Sequence, residues 1–374
     1  MRRLAAAHSP PTGAARRTRG HGPGLPGRRR RRAHQRWCAA LLVLAALPAA
    51  ACGVTAADGA RDAAAARSAA EARSAAGPRY PVRIQAFAAN TGSDSLSAYN
   101  VQLARPLGAS PVGNGPTGVG AAPNGNTVYV ANSKSNTVSF VDTETRQVIA
   151  TVPVGAQPYA AMPTPNGARV LTANFGANTV SVISVPLQRV TATVPVGRMP
   201  HSIATVPNGT AYVTNNGSNT VTVISPGLSP VAVIPVGVFP SGISATPRGD
   251  RVFVSNTGSG TVSVISTASN QVIAVLPVGG APVGNAVSPS GSTLYVADST
   301  NNQLVIVDVG SGRVRARIPV GLTPQGVAVS PEGGQVWVTN EGSDTVTVIN
   351  AAAPGSPITL PAGHQPEGIA ITPH

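Results

Sequence analysis

Seven residues hold one position of a repeated frame and differ in every copy. Thr117, Tyr159, His201, Ser241, Val283, Gln325 and Glu367 each follow the proline that comes shortly after a Pro-Val-Gly or Pro-Ala-Gly motif. The set contains one carboxylate and one histidine. Hydrolysis by paired carboxylates needs two acids, and a metal site needs three or four converging N, O or S ligands. The only convergent candidates are His201, His364 and Glu367. His201 belongs to the third copy of the repeat and the other two to the seventh, near opposite sides of a ring of seven. No Gly-x-Ser-x-Gly elbow, phosphate loop or Cys-x-x-Cys pair is present. No catalytic set, metal or cofactor is therefore assigned, and His201 and Glu367 read as solvated rim residues. Variation on a constant frame is where a specific contact is expected.

The aromatics sharpen that expectation because Phe, Trp and Tyr make up only 3% of the chain. Tyr159, Phe175 and Phe239 fall in neighbouring loops, beside Arg198, Met199 and His201. Exposed aromatic, Met and Arg side chains are the types enriched in binding hot spots. The same residues could instead pack on one another as a lid over the core. With Gln325, His364 and Glu367 they form the candidate contact set for a ligand or partner.

The elements that must carry these residues come from the repeat. Pro-Val-Gly starts at Pro111, Pro153, Pro195, Pro235, Pro277 and Pro319 and returns as Pro361-Ala362-Gly363, with steps of 42, 42, 40, 42, 42 and 42. A period in this range marks a propeller or solenoid. Each unit holds four short runs of Val, Ile, Thr and aromatics bounded by Gly, Pro, Asn or Ser, the pattern of strands in an all-β protein. Turn chemistry such as Pro123-Asn124-Gly125 separates the first two runs. Four strands per unit fit a propeller blade. After Gly363 only one strand remains, Pro366 to Thr372, while Ala88 to Tyr99 and Arg105 to Gly113 supply the other three. The expectation is a seven-bladed propeller whose last blade is shared between the two ends, which removes open sheet edges. Strands alternate direction, so the loops joining second to third strands (crown loops) and those leading into each innermost strand (inner loops) share one face, here called the top. The recurring Asn90, Asn132, Asn174, Asn215, Asn256 and Asn340, with Asp298 in one unit, sit where the second strand enters its loop. Their expected role is structural, by hydrogen bonds to loop backbone.

Val128-Tyr129-Val130-Ala131-Asn132, Ala211-Tyr212-Val213-Thr214-Asn215 and Val336-Trp337-Val338-Thr339-Asn340 resemble the YVTN repeat of bacterial and archaeal surface β-propellers. The resemblance spans 82–374 and implies the propeller fold. It leaves function open, because that group includes surface-layer-type and extracytoplasmic binding proteins, and the wider seven-bladed group is similar to sugar-lactone hydrolases and to the heavy subunit of quinone-dependent amine dehydrogenases.

The formal charge of +14 suggests nucleic-acid binding, but 11 of the 27 Lys and Arg lie in residues 1–36. Beyond residue 51 the balance is 16 − 13 = +3, too even for a nucleic-acid surface. A basic stretch ahead of the 15-residue apolar run Trp37 to Ala51 reads as an export signal, since a membrane span needs roughly 20 apolar residues. The run ends Leu47-Pro48-Ala49-Ala50-Ala51-Cys52, which resembles a bacterial lipoprotein cleavage site with Cys52 as the lipid-attachment residue; Ala49-x-Ala51 also suits ordinary signal peptidase. Residues 53–80 are rich in Ala, Arg, Ser and Glu with almost no branched apolar residue, the composition of a tether. The expected domains are a signal peptide (1–51), a tether (52–81) and a propeller (82–374). The expected protein is monomeric, exported and lipid-anchored at the cell envelope. It would act there as a non-enzymatic binding or scaffold protein on an envelope protein, glycan or small molecule. The alternative is a lactonase-like hydrolase or a subunit of a periplasmic oxidoreductase.

Overall fold

The computed structural model describes residues 84–374. The expected signal peptide, Cys52 and the tether lie outside the described residues. In the first complete unit the four runs are the strands Pro116–Ala121, Thr127–Asn132, Thr137–Asp142 and Val148–Pro153. They pair antiparallel in sequence order. Six such sheets succeed one another. The seventh combines Pro366–Ile371 with Gln85–Asn90, Ser95–Asn100 and Arg105–Pro111. Ala86 stands opposite Ile371, Phe87 opposite Ala370 and Ala88 opposite Ile369. The innermost strands touch one another in ring order, and that of the seventh sheet touches that of the first. The chain is an all-β, seven-bladed propeller closed by a shared blade.

Burial explains the composition of each run. The second strand is buried on both faces, as at Val128 to Asn132, whereas the outermost strand is largely exposed, as at Val148 to Pro153. Each core cluster draws on two adjacent blades. Tyr99 and Val101 of blade seven, for example, pack with Trp337, Val346 and Leu360 of blade six. The Tyr99 and Trp337 rings lie 5.6 Å apart. Trp337 donates to Gln335 at 3.0 Å and the Tyr99 hydroxyl donates to the Pro361 carbonyl at 2.9 Å, so both polar tips are satisfied while the rings fill the gap between blades.

Two recurring residue types set the ring geometry. The first is the glycine two places after the inner-loop proline. A Cβ at Gly118, Gly242, Gly284, Gly326 or Gly368 would sit 2.2–2.5 Å from the carbonyl of the next blade's rim residue. Only glycine allows the innermost strands to approach so closely. Blades two and three carry Ala160 and Ser202 instead, so the glycine approach is absent where blade two meets His201 and blade three meets Ser241. Gly284→Ala should therefore cost about 1–3 kcal/mol of stability by forcing the strands apart, checked by denaturant unfolding; an unchanged midpoint would contradict the close-approach account.

The second is the asparagine ring. Asn132 donates to the Thr137 and Ser139 hydroxyls at 3.1 and 3.0 Å, and Asn90, Asn174, Asn215, Asn256 and Asn340 repeat the pattern. This corrects the expectation of bonds to loop backbone: the amide chiefly ties second to third strand, and accepts from backbone in two blades, from Gly237 and Gly363. A Cβ at Gly113, Gly155, Gly197, Gly237, Gly321 or Gly363 would meet that asparagine at 2.6–2.7 Å. The glycine of Pro-Val-Gly and the asparagine are thus packing partners. Where Asp298 replaces Asn, the third-strand threonine is replaced by Gln303, whose amide donates to the carboxylate at 2.8 Å.

Candidate active site at the channel mouth

The innermost strands begin at the inner-loop prolines and point the next side chain to the axis. Thr117, Tyr159, His201, Val283, Gln325 and Glu367 line one cavity of about 360 Å³ at the channel mouth. Ser241 does not join them; its hydroxyl bonds Thr257 at 2.7 Å and the Val283 carbonyl at 3.2 Å. Thr117 likewise spends its hydroxyl on neighbouring carbonyls, including Tyr159 at 3.1 Å. The polar members that do not spend their side chains on neighbouring carbonyls are Tyr159, His201, Gln325 and Glu367.

A second carboxylate joins them from the crown loop of blade six. Glu341 lines the same cavity and accepts from Gln325 Nε2 at 2.6 Å. The position it holds is Thr91, Ser133, Phe175, Asn216, Thr257 and Ser299 in the other blades. Five of these bond the inner-loop or proline carbonyl beside them: Thr91 to Pro116, Ser133 to Gly115, Asn216 to Pro240, Thr257 to Pro282 and Ser299 to Ala281. Phe175 and Glu341 make no such bond, and both turn to the site instead. Sequence reasoning counted one carboxylate because it followed the innermost strands alone. The signal for the second was the charged residue standing where most blades carry a small backbone-binding side chain.

Glu367 and His201 are not the solvated rim residues expected. Burial pushes the Glu367 carboxyl up to about 7; the hydrogen bond with Thr91 and the charge of Lys134 pull it down, and the like charge of Glu341 pushes it further up. Burial lowers His201 to about 4, so the imidazole is neutral at physiological pH. Its Nδ1 is buried without a hydrogen-bond partner. Tyr159 stacks on His201 with centroids 4.6 Å apart, and its phenol is raised to about 12 by burial and by the charges of Glu367 and Glu341. The phenol thus keeps its proton and faces both carboxylates electrostatically. The site holds two neighbouring acids on blades six and seven, opposite a neutral tyrosine–histidine stack on blades two and three.

The remaining expected residues lie elsewhere. His364 is exposed and pairs with Asp344 at 2.9 Å; it does not line the cavity. Among the described residues no three His, Cys, Asp or Glu side chains converge to hold a metal ion. Phe175 packs on Tyr159 at 5.2 Å and edge-on to His201 at 6.5 Å. Met199 and Phe239 remain 40% and 54% exposed. With Phe175 and Arg198 they line a shallow open groove on the same face. The aromatic sector is therefore lid at Phe175 and exposed surface at Phe239.

No family model matches the chain, and no curated protein matches it. Solved structures do. Hydrazine synthase of Kuenenia stuttgartiensis is 26% identical, with a TM-score of 0.60 over 63% of this chain and 77% of that one. The periplasmic gluconolactonase PpgL of Pseudomonas aeruginosa is 20% identical, with a TM-score of 0.64 over 77% of this chain and 99% of that one. A candidate 6-phosphogluconolactonase of Bacteroides uniformis is 18% identical, with a TM-score of 0.65 over 77% and 99%. At these identities the two lactonase likenesses carry the fold alone. By its own sheets and by these likenesses, the chain is a seven-bladed β-propeller with a chemically equipped channel mouth.

Proposed function

We propose that this protein is a lactone hydrolase of the cell envelope, acting at the top mouth of the propeller channel. The observation that carries the reading is the raised carboxyl of Glu367 beside a second acid, Glu341, in one cavity. A cavity of this size suits a small ring ligand, and solved propellers of the same fold include proteins described as gluconolactonases. Ester hydrolysis needs a base to activate water, and a base is most effective when its pKa lies near the working pH. Glu367 in its ionised form takes a proton from water as the water oxygen adds to the lactone carbonyl. The Tyr159 hydroxyl donates a hydrogen bond to the oxygen that becomes negative. The ring C–O bond then breaks, and the proton on Glu367 passes to the departing alkoxide. Water and cyclic ester thus become one hydroxy acid. Burial keeps the Glu367 pKa high and the charge of Glu341, held by Gln325, adds to it; neutral His201 orients Tyr159 by stacking.

This reading is placed ahead of a purely non-enzymatic binder because a buried carboxyl with its pKa raised to about 7 and a second acid line one cavity with a tyrosine hydroxyl. Purified protein should open unsubstituted or hydroxylated lactones in a pH-stat assay, and Glu367→Gln should not. No turnover above buffer for any such lactone would remove the reading.

Membership of the YVTN-repeat family, export, and lipid attachment at Cys52 belong to the same proposal. The motifs Val336 to Asn340 and the apolar run ending at Cys52 support them. Two acyl chains hold a protein on a membrane stably, so Cys52→Ser should release the protein into the soluble fraction; retention with the membrane would refute the anchor.

A further inference from the structure

We infer that the groove beside the channel mouth is a second subsite of the same site, shaped for a flexible alkyl or acyl arm carried by the lactone ring. The inference rests on the lactone-hydrolase reading and adds the class of substrate. Phe175 is the shared wall. Its ring lines the groove and also packs on Tyr159, which lines the cavity. A ligand seated at Glu367 and Tyr159 that leaves the channel over Phe175 meets this groove, whose lining sets Met199 and Phe239 beside the polar Gln157, Asn178 and Arg198.

Beyond Phe175 the groove carries two large apolar side chains, Met199 and Phe239, by local departure from the frame. The residue just before the inner-loop proline is Gly115, Gln157, Thr323 or Gln365 in four blades, Ala281 in a fifth, and Met199 and Phe239 in the sector facing the groove. Met199 and Phe239 have φ of 53° and 52°, in the left-handed region. Their backbone N–H groups donate to Asn178 and Asn219 at 2.9 Å each, which fixes the loops. Beneath them lie Gly217 and Gly258, where an added Cβ would come within 2.8 Å of the Met199 sulfur and of the Phe239 ring. Each large side chain is thus laid flat along the top surface over a glycine, neither entering the core nor waving in solvent. Where the upper residue is Gly115 the lower one is Lys134, which packs against it. Thr300 stands beside Ala281, and Gly342 lies against Thr323, so the frame does not require a large apolar residue in the pair. The apolar choice at Met199 and Phe239, with 40% and 54% exposure, is what a hydrocarbon arm would use. A thioether and a ring edge adapt to a flexible chain.

The test measures δ-valerolactone, δ-octalactone, δ-decalactone and δ-dodecalactone as substrates, and alkyl-substituted cyclopentanones, which cannot be hydrolysed, as ligands by calorimetry. Wild-type KM and Kd should fall by about threefold per added methylene until the groove is filled. Met199→Ala and Phe239→Ala should flatten that slope with melting temperatures near wild type. Leu322→Ala, at an exposed inner-loop residue on the far side of the ring, should keep it. A flat wild-type slope, or slopes unaltered by the Met199 and Phe239 changes, would overturn the inference. Ketone binding that tightens with chain length without any lactone turnover would support the arm subsite and sink the hydrolase reading; turnover with no chain-length dependence would do the reverse.

Discussion

Deleting residues 364–374 should leave a protein that aggregates or melts far below the full chain. The deletion removes Pro366–Ile371, the innermost strand of the shared blade. Ala86, Phe87 and Ala88 lose their ladder partners, and the first and sixth blades lose the strand they pack against at the channel. Ile369 leaves the core cluster built around Tyr99 and Trp337, and Ala370 leaves the one around Phe87 and Leu96. An open ring also exposes unpaired edges that invite association between chains. The loss should greatly exceed the roughly 1 kcal/mol of a typical point change. Thermal melting and gel filtration read it directly, and a truncated monomer that melts like the full chain would refute closure by the shared blade.

Glu367→Gln should reduce lactone hydrolysis by about 10²–10⁴-fold, the usual contribution of a positioned general base. The same change should raise stability above neutral pH. The folded-state pKa of Glu367, about 7, lies above its ordinary 4.5, so the folded protein holds that proton more tightly than the unfolded chain. Its favourable contribution is complete below about 4.5 and is lost as pH rises through 7. Above that range the native state carries a desolvated charge, which glutamine removes. His201 acts in the opposite sense. Its pKa falls from 6.5 to about 4, so it takes stability away as pH drops below 6.5. Melting curves of Glu367→Gln at pH 5 and pH 8 give the sign. A variant that is inactive and also less stable at pH 8 would mark Glu367 as structural.

The fold was almost wholly legible because its determinants are local and repeated. The Pro-Val-Gly steps fixed the blades, and the chain ends fixed the shared one. The rim residues were legible as one varying position, since a propeller turns sequence period into angular position. What sequence could not supply was the radial coordinate. Glu341 lies on a different loop from Glu367, and only folding shows that the crown loop of blade six leans over the channel. Desolvation of His201 and Glu367 was equally hidden, because a ring of loops creates it and no neighbour in sequence does. The reason for Gly284 and its equivalents is also non-local: each faces the carbonyl of the next blade's rim residue.

The most direct test of the channel-mouth site is the pH dependence of kcat/KM for lactone opening by the wild type and by Glu341→Gln. The wild-type rate should rise along a single limb centred near 7, as Glu367 loses its proton. Removing the like charge of Glu341 should move that limb to lower pH while the plateau persists. A limb centred in the ordinary carboxylate range, or one indifferent to Glu341→Gln, would contradict the assignment of Glu367 as a base tuned by burial and by its neighbouring acid.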